Sequence, residues 1–204
     1  MNRIDIINSL IQKNGYNSYC EIGVAGGECF QAIVCENKTS VDPEPLSASV
    51  LKMTSDHFFE NFEQLNPANF DIYFIDGLHH ADQVLKDINN ALNHLKPGGT
   101  IVCHDMLPIN EKMQTIPIGD NVEWTGDCWK AWVELRKTRS DLFMNVVNTD
   151  WGCGIISKRD EPNPHLLQTD LELNYANFVQ NQQEWMNVIS VEYFQVLYLR
   201  TLYI

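Results

Sequence analysis

Five side chains that can move protons or hold a metal ion fall in two short segments of the sequence. Asp76 is followed by His79 and His80 in IDGLHH, and Asp105 is preceded by His104 in VCHD. Carboxylates and imidazoles in such sets act as general acids and bases or as ligands of a divalent cation. Because Asp also favours loops and helix caps, a purely structural role is the alternative for each residue taken singly.

The elements predicted around these side chains bring the two segments together. Residues 70–75 are an apolar, β-branched and aromatic run that predicts a buried strand, and residues 100–103 predict a second one. The segment between them predicts a helix with one apolar face, formed by Val84, Ile88, Leu92 and Leu95. Strand, helix and strand at this spacing predict two parallel strands in a right-handed unit. We therefore expect Asp76 and Asp105 on one rim, where the carboxyl ends of the strands face a ligand crevice.

A glycine-containing turn, EIGVAGG, lies earlier in the chain, between a short predicted strand and a helix. The small residues Gly23, Ala25 and Gly27 let the backbone approach a ligand, and a helix N-terminus favours negative charge. The dinucleotide fingerprint G-x-G-x-x-G would need glycine at positions 25 and 28, where Ala25 and Glu28 stand. Glu21 suits a ligand with a cationic amino-acid end. A structural tight turn is the alternative.

Two acidic positions follow this turn. Asp42 ends a strand predicted at residues 39–43, about 20 residues after the glycines, from where a carboxylate can bridge the hydroxyls of a ribose. An ordinary turn aspartate is the alternative. Ser55 and Asp56 begin a predicted helix, either as its cap or as residues that hold an adenine amino group, and one side chain can do both.

Bulk composition narrows the class of protein. The length of 204 residues suits a full core, and the formal net charge of -13 disfavours a nucleic-acid or anionic-membrane binder, which needs a basic face. Six scattered cysteines, without a CxxC pair, favour a reducing compartment. No signal-peptide core and no membrane-spanning run is recognised, so we expect a cytoplasmic protein.

The second half of the sequence is predicted to complete and cover the sheet. Residues 106–128 lack a clear period and predict a binding loop, in which Trp124 is the candidate for substrate contact. Residues 129–139 predict a helix, and residues 142–147 and 154–157 predict an antiparallel hairpin at the sheet edge. Residues 160–204 are expected to form an extension, including a helix at 166–180, that packs on the domain of residues 1–159 or on a partner chain. A homodimer is therefore a further expectation.

The motifs EIGVAGG, VDP, TSD, FDIYFIDGLHH and LKPGGTIVCHD, in this order, resemble those of class I S-adenosylmethionine-dependent methyltransferases, in particular the small macrocin-type (sugar) O-methyltransferases. The resemblance covers about residues 17–157. It implies an α/β fold: a Rossmann-like seven-stranded, mostly parallel sheet of order 3-2-1-4-5-7-6, flanked by helices and followed by a C-terminal helical extension. It also implies that S-adenosylmethionine contacts Glu21, Gly23, Ala25, Gly27, Asp42, Ser55, Asp56 and Asp76.

The resemblance further implies catalytic roles. Asp76 and Asp105 match acids that hold a divalent cation, usually magnesium, and His79 matches a histidine proposed as general base. Met106, a poor magnesium ligand, stands where related enzymes have Asn or an acid. His104, His80 or a substrate oxygen would then replace that ligand, and histidine would favour a softer metal such as manganese.

The function expected is O-methyl transfer to a small hydroxylated molecule, such as a sugar or glycosylated metabolite, with Mg²⁺ or Mn²⁺ as assisting cation. Two other classes stay open at this point. One is a metal-dependent hydrolase that uses the Asp-His rim, and the other is a cofactor-binding protein without catalysis. A nicotinamide-dependent oxidoreductase is disfavoured by the missing third glycine.

Overall fold

The computed structural model describes residues 1–47, 49–65, 68–120, 123–162 and 165–200. Its strands are β1 (Ser18–Ile22), β2 (Asn37–Asp42), β3 (Leu51–Lys52), β4 (Phe70–Ile75), β5 (Leu95–Cys103), β6 (Leu142–Val147), β7 (Cys153–Lys158) and β8 (Val188–Ile189). Its helices are α1 (Arg3–Asn14), α2 (Glu28–Ala32), α3 (Ser55–Glu60), α4 (Phe62–Leu65), α5 (Ala81–Asn93), α6 (Cys128–Thr138), α7 (Tyr175–Met186) and α8 (Val191–Phe194). A 3₁₀ turn covers Glu111–Gln114, and a π-helical segment covers Gln195–Leu199.

The strands form one sheet in the order β3-β2-β1-β4-β5-β7-β6-β8. β7 runs antiparallel to both of its neighbours, and the other pairs are parallel. The predicted order 3-2-1-4-5-7-6 is confirmed, but the sheet has eight strands rather than seven. The added strand, β8, pairs Val188 with Val146 and Ile189 with Val147. It covers the backbone groups that β6 would otherwise expose at the sheet edge.

The central strands are buried as their composition predicts. Every residue of β1 is buried, and β4 is buried at all but one position. The predicted amphipathic helix is α5, which places Val84, Ile88 and Leu92 in the core. Leu95, which was expected on the same helix face, instead begins β5, so this strand starts five residues before the predicted residue 100. Because α5 and the other helices cover both faces of the sheet, ligands reach it only at the strand ends.

The C-terminal segment differs from its prediction. A helix was expected at residues 166–180, but α7 begins at Tyr175, because the side chain of Asn174 accepts a hydrogen bond from the backbone N–H of Asn177 and caps it there. Phe178 and Trp185 on α7 lie against Trp129 of α6, with ring centroids 4.6 and 6.0 Å away. The extension is therefore built from a strand as well as helices, and it packs on the core.

The structure also bears on the state of the cysteines and on membrane-spanning helices. All six cysteines are free thiols. Among the residues that the structure describes, no helix has both the length and the apolar character required to span a bilayer.

Candidate active site

The carboxyl ends of β4 and β5 bring the predicted acids together. Asp76 follows β4 and donates its backbone N–H to the carbonyl of Ile22, so it is tied to the end of β1. Asp105 follows β5 two residues on, with a φ of 61°. This left-handed conformation is unusual for a residue with a side chain, and such strain concentrates at functional sites.

His79 sits between the two acids. Its Nε2 is 3.4 Å from Oδ1 of Asp76 and 3.3 Å from Oδ2 of Asp105, and its Nδ1 is 3.0 Å from the carbonyl oxygen of Trp124. A carbonyl only accepts, so Nδ1 carries the proton and Nε2 faces the carboxylates. Burial opposes ionisation, but hydrogen bonding and the two negative charges raise the pKa of His79. Nε2 is thus placed where it shares either a proton or a cation with Asp76 and Asp105.

His104 lies on the other side of the same acids. Its Nδ1 is 3.3 Å from a carboxylate oxygen of Asp76 and 3.3 Å from one of Asp105. Despite burial, these acids and Asp150 raise the pKa of His104. In turn, and again against the effect of burial, His104 and His79 hold the pKa of Asp76 well below its usual range. The rim is therefore one electrostatic unit of alternating carboxylates and imidazoles.

Arg3 and Asp150 complete this unit, and the sequence did not predict either. Nη1 of Arg3 is 2.9 Å from Oδ1 of Asp150 and 3.2 Å from Nε2 of His104. Arg3 begins α1 and Asp150 lies in the turn between β6 and β7. The only sequence signal was the turn composition of NTDWG, which predicts a hairpin but no contact with the first helix.

The donor atoms of the rim fall into two groups. Within each group, the donor atoms lie within 4.8 Å of one another. One is Asp76, His79 and Asp105, and the other is His104, Asp150 and Cys153. His79 is the third donor of the first group, and His104, the ligand expected from the sequence, also lies 3.3 Å from both acids, so its role as a ligand stays a prediction. Two carboxylates and an imidazole suit manganese, and the carboxylates with water suit magnesium. The second group is a poor cation site, because the guanidinium of Arg3 already lies against it.

Met106 and His80 are the two other positions that the sequence analysis considered for the metal site. Met106 is fully buried in the core and is not part of the rim. His80 is the N-cap residue of α5, and its ring meets Trp124 edge-on at 6.1 Å. Neither side chain belongs to the group formed by the two acids and His79.

A cavity of about 610 Å³ opens beside the glycine turn, and we call it the glycine-loop cavity. The predicted cofactor residues that line it are Gly23, Ala25, Asp42, Ser55, Asp56 and Asp76. Glu21 and Gly27 do not. Gly27 has a φ of 87° and is the N-cap residue of α2, so it determines where the turn ends and the helix begins.

Gly23 is required by a close approach of two strands. Its φ is 86°, and a Cβ at this position would lie 2.2 Å from the carbonyl oxygen of Asp76. Such a contact is far inside van der Waals distance, so any other residue would push the ends of β1 and β4 apart. The glycine thereby lets the turn sit directly beside the first acid of the rim.

Asp42 braces the glycine turn from the end of β2. Its Oδ2 accepts hydrogen bonds from the backbone N–H groups of Val24 and Ala25, at 2.8 and 3.1 Å, and its Oδ1 accepts one from Glu44 at 2.7 Å. A carboxylate offers about four acceptor sites, so three are used here. Asp42 is therefore a turn aspartate, and because it also lines the glycine-loop cavity, its remaining acceptor site is available to a ligand.

Glu21 is enclosed beneath the turn rather than facing the cavity. Its side chain is 1% exposed and accepts a hydrogen bond from the hydroxyl of Tyr19. Burial raises the pKa of Glu21 to about 7. A carboxyl group in this position supports the loop and does not line the glycine-loop cavity, and its contact with a cationic ligand stays a prediction.

The far end of the glycine-loop cavity is formed by the start of α3. The cap of this helix is Thr54, whose hydroxyl accepts from the N–H of His57, and not Ser55 or Asp56 as one reading of the sequence had it. Asp56 instead accepts hydrogen bonds from Gln83 and Lys86. Hydrogen bonding, first of all from Lys86, lowers the pKa of Asp56.

A second cavity, of about 310 Å³, lies on the other side of the rim and is called the rim cavity. It shares Ala25, Asp76 and His79 with the glycine-loop cavity. Trp124 and Trp151 are its aromatic walls: Trp124 stacks on His79 at 5.2 Å, and Trp151 meets His104 edge-on at 6.3 Å. Two molecules bound in the two cavities would meet at Asp76 and His79.

The loop expected at residues 106–128 holds His79 in place. A Cβ on Gly126 would lie 1.7 Å from the carbonyl oxygen of His79, and Asp127 donates its N–H to that same oxygen. The sequence indicated the loop and Trp124 but not Gly126. The sequence feature that could have indicated Gly126 is the Gly-Asp pair before a helix, but such a pair is also typical of an ordinary turn.

Residues 20–106 match a family model described as "Methyltransferase domain". This segment, which is less than half of the chain, is similar to methyltransferase domains. The resemblance to class I S-adenosylmethionine-dependent methyltransferases is thereby confirmed, and the rim and the glycine turn both fall inside or at the edge of the matched residues. A comparison with curated protein sequences gives no match.

Three solved structures with the same fold are similar to this chain, each at low sequence identity. An O-methyltransferase from Bacillus cereus in complex with S-adenosylhomocysteine has 17% identity and a TM-score of 0.56, covering 76% of this chain and 78% of its own. TomG from Streptomyces achromogenes, an O-methyltransferase of tomaymycin synthesis in complex with S-adenosylmethionine, has 16% identity and a TM-score of 0.54, covering 76% and 77%. MycE of the mycinamycin pathway, in complex with Mg and S-adenosylhomocysteine, has 17% identity and a TM-score of 0.50, covering 83% of this chain and 52% of its own. At these identities the likeness shows the methyltransferase fold.

Proposed function

We propose that the methyltransferase domain transfers the methyl group of S-adenosylmethionine to a hydroxyl group of a small molecule. The observation that carries the proposal is that two cavities meet at Asp76 and His79. Methyl transfer needs an acceptor oxygen in line with the methyl group, and holding both molecules in this geometry supplies much of the rate. The glycine-loop cavity takes the cofactor, and the rim cavity takes the acceptor.

The lining of the glycine-loop cavity supports this assignment. Gly23 and Ala25 let the cofactor approach the backbone, and Asp42 retains acceptor capacity for a ribose hydroxyl. Ser55 and Asp56 stand at the other end. The similar structures from Bacillus cereus and Streptomyces achromogenes were solved with S-adenosylhomocysteine and S-adenosylmethionine, respectively.

His79 is the general base in this proposal. The hydrogen bond between Nδ1 and the Trp124 carbonyl leaves the lone pair of Nε2 directed at the rim. An acceptor hydroxyl in the rim cavity would give its proton to that atom as the oxygen attacks. Asp76 and Asp105 then stabilise the imidazolium that forms.

The rim also fits a divalent cation. Asp76 and Asp105 would hold it, while the one lone pair on Nε2 of His79 would serve either as the base or as a third ligand of a softer metal such as Mn²⁺, and not as both. When bound, such an ion lowers the pKa of a hydroxyl group and orients it. MycE, one of the similar structures, was solved with Mg.

The acceptor class rests on the shape of the rim cavity. Trp124 and Trp151 offer flat apolar faces, and the acids offer hydrogen-bond acceptors to hydroxyl groups. This combination suits a sugar or a glycosylated metabolite, whose ring presents C–H faces and hydroxyl edges. The formal net charge of -13 argues against nucleic acid as the acceptor.

Calorimetric titration with S-adenosylhomocysteine, with and without magnesium or manganese, is the first test. We expect a micromolar dissociation constant, followed by methyl transfer to hydroxylated sugars in an acceptor screen. Absence of binding under every metal condition would contradict the proposal and would favour a metal-dependent hydrolase that uses the same rim.

Substitution of His79 tests the base. With an acceptor in hand, His79→Gln should lower kcat by about 10²- to 10⁴-fold while cofactor binding is largely retained. His57→Gln, an exposed histidine on α3, is the matched control. Equal kcat for the wild type and His79→Gln would remove His79 from the mechanism.

A further inference from the structure

Gln83 lines the glycine-loop cavity, although no motif in the sequence singled it out. It belongs to the first turn of α5, and its side chain reaches toward α3. The nitrogen of its amide lies within hydrogen-bond distance of three oxygens, which share its two hydrogens: Oγ of Ser55 at 3.2 Å, Oδ1 of Asp56 at 3.0 Å and Oδ1 of Asp87 at 3.0 Å. The amide is therefore fixed at the end of the cavity that Ser55 and Asp56 form.

These three partners also decide which way the amide faces. If the amide were flipped, its carbonyl oxygen would lie against two carboxylate oxygens, and this would be repulsive. Asp87 makes the orientation firm, because it is 1% exposed and has no access to bulk water. The carbonyl oxygen Oε1 is thus the atom of this amide that is left for a ligand, and it can only accept.

Asp56, which the family resemblance assigns to the adenine, is already engaged. Its Oδ1 accepts from Gln83, and its Oδ2 accepts from Nζ of Lys86 at 2.7 Å. Each oxygen thus accepts one hydrogen bond that holds α3 to α5, and these two bonds fix the Asp56 carboxylate in place. Asp56 thus acts as an anchor for Gln83, and Gln83 presents the acceptor to the cavity.

We propose that Oε1 of Gln83 accepts a hydrogen bond from the 6-amino group of adenine and selects adenine over other purines. The inference rests on the proposed function, since it takes S-adenosylmethionine as the occupant of the glycine-loop cavity. The 6-amino group is a donor at the purine edge, and an oxygen at the same position would face Oε1 as a second acceptor. Ser55, Asp56 and Asp87 are positioning residues in this arrangement.

The test compares two thioethers by calorimetry: S-adenosylhomocysteine, and S-inosylhomocysteine, in which oxygen replaces the 6-amino group. The wild type should bind S-inosylhomocysteine at least about tenfold more weakly, the loss that corresponds to one hydrogen bond left unmade. Gln83→Met, which keeps length and helix propensity, should weaken S-adenosylhomocysteine by about tenfold and bring the two ligands within about threefold of each other. Asn90→Met, on α5 but outside the cavity lining, should keep the wild-type preference.

Each outcome has a separate meaning. No binding of S-adenosylhomocysteine to the wild type would defeat the proposed function itself. Equal binding of both ligands by the wild type, or an unchanged preference in Gln83→Met, would overturn the role of Gln83 while leaving the proposed function intact. Circular dichroism monitors folding, and Gln83→Ala replaces Gln83→Met if the longer side chain disturbs the packing of α5.

Discussion

At the scale of single residues, the contacts within the rim depend on the orientation of its side chains. His79 is fixed by one hydrogen bond to a carbonyl, and this bond alone determines which ring nitrogen faces the acids. Asp105 reaches the same point because its backbone is left-handed. The chemistry of the rim therefore depends on two local features, a tautomer and a φ angle, as much as on residue identity.

Asp105→Asn isolates the charge of the second acid. Asparagine tolerates the left-handed conformation, so the backbone should persist while the negative charge is lost. We expect kcat to fall by about 10²-fold, with little change in Tm, because His79 loses a partner for its charged form. Steady-state kinetics and thermal melts measure this, with the exposed Asp170→Asn as control. Full activity in Asp105→Asn would exclude a role for this charge.

Glu21→Gln tests the buried acid beneath the glycine turn. The pKa of Glu21 is raised to about 7, above the value of about 4.3 in an unfolded chain, so ionisation opposes folding. Its contribution to stability is fully present at pH below about 4 and is lost as pH rises through about 7. Glu21→Gln should therefore gain stability relative to the wild type between pH 5 and 8, by about 4 kcal/mol at most. Urea unfolding at both pH values measures it, and a difference independent of pH would contradict the shift.

At the scale of elements, the first helix is tied to the last hairpin across the rim. Arg3 at the start of α1 binds Asp150 in the turn between β6 and β7 through its side chain and its backbone N–H. The hydroxyl of Thr149 in the same turn donates to the carbonyl of Met1. Because Arg3 and Trp151 both line the rim cavity, this contact also forms one wall of the acceptor site.

Arg3→Met keeps the length of the side chain and removes the ion pair. We expect a loss of about 1–2 kcal/mol in the free energy of unfolding, since Asp150 keeps fewer partners in a half-buried position. Hydrogen exchange in the first turns of α1 should accelerate. Gln12→Met, exposed on the same helix, is the control and should leave both quantities near wild type. Unchanged exchange in α1 would show that this contact does not hold the helix.

At the scale of the whole molecule, the C-terminal segment belongs to the core. Phe178 and Trp185 of α7 pack on Trp129, and the indole N–H of Trp132 donates to the carbonyl of Met186 at 3.2 Å. β8 then extends the sheet beside β6. The segment therefore stabilises α6, whose first residues follow the loop that holds His79.

Trp185→Ala measures this contribution. The side chain is 1% exposed, so its removal should lower the free energy of unfolding by about 3–5 kcal/mol. Trp151→Ala, at a position 38% exposed, should cost clearly less. Chemical denaturation measures the free energy of unfolding of both variants. Equal losses in Trp185→Ala and Trp151→Ala would contradict the conclusion that α7 is part of the core.

The homodimer expected from the apolar C-terminus stays a prediction. A monomer has a mass of 23.4 kDa, and sedimentation velocity at micromolar concentration distinguishes it from a dimer. The cytoplasmic location and the division into residues 1–159 and 160–204 likewise stay predictions.

Local pattern alone was enough to identify β4, α5 and β5 and to place Asp76, His79 and Asp105 on one rim. Short continuous apolar runs, one helical run of period 3.6 and the rule that parallel strands end on one side of the sheet are all readable within 36 consecutive residues. The glycine at position 23 was readable for the same reason, since a turn between strand and helix has its own chemistry.

Only the tertiary structure brought in Arg3, Asp150, Gly126 and Gln83, and only it placed the extra strand expected within residues 184–203 as β8 beside β6. Arg3 and Asp150 lie 147 positions apart, and Gln83 meets Ser55 across 28 positions. Contacts of this kind carry no period and no local composition, because they depend on where separate elements pack. A two-residue strand such as β8 exists only because the edge of β6 is there to pair with it.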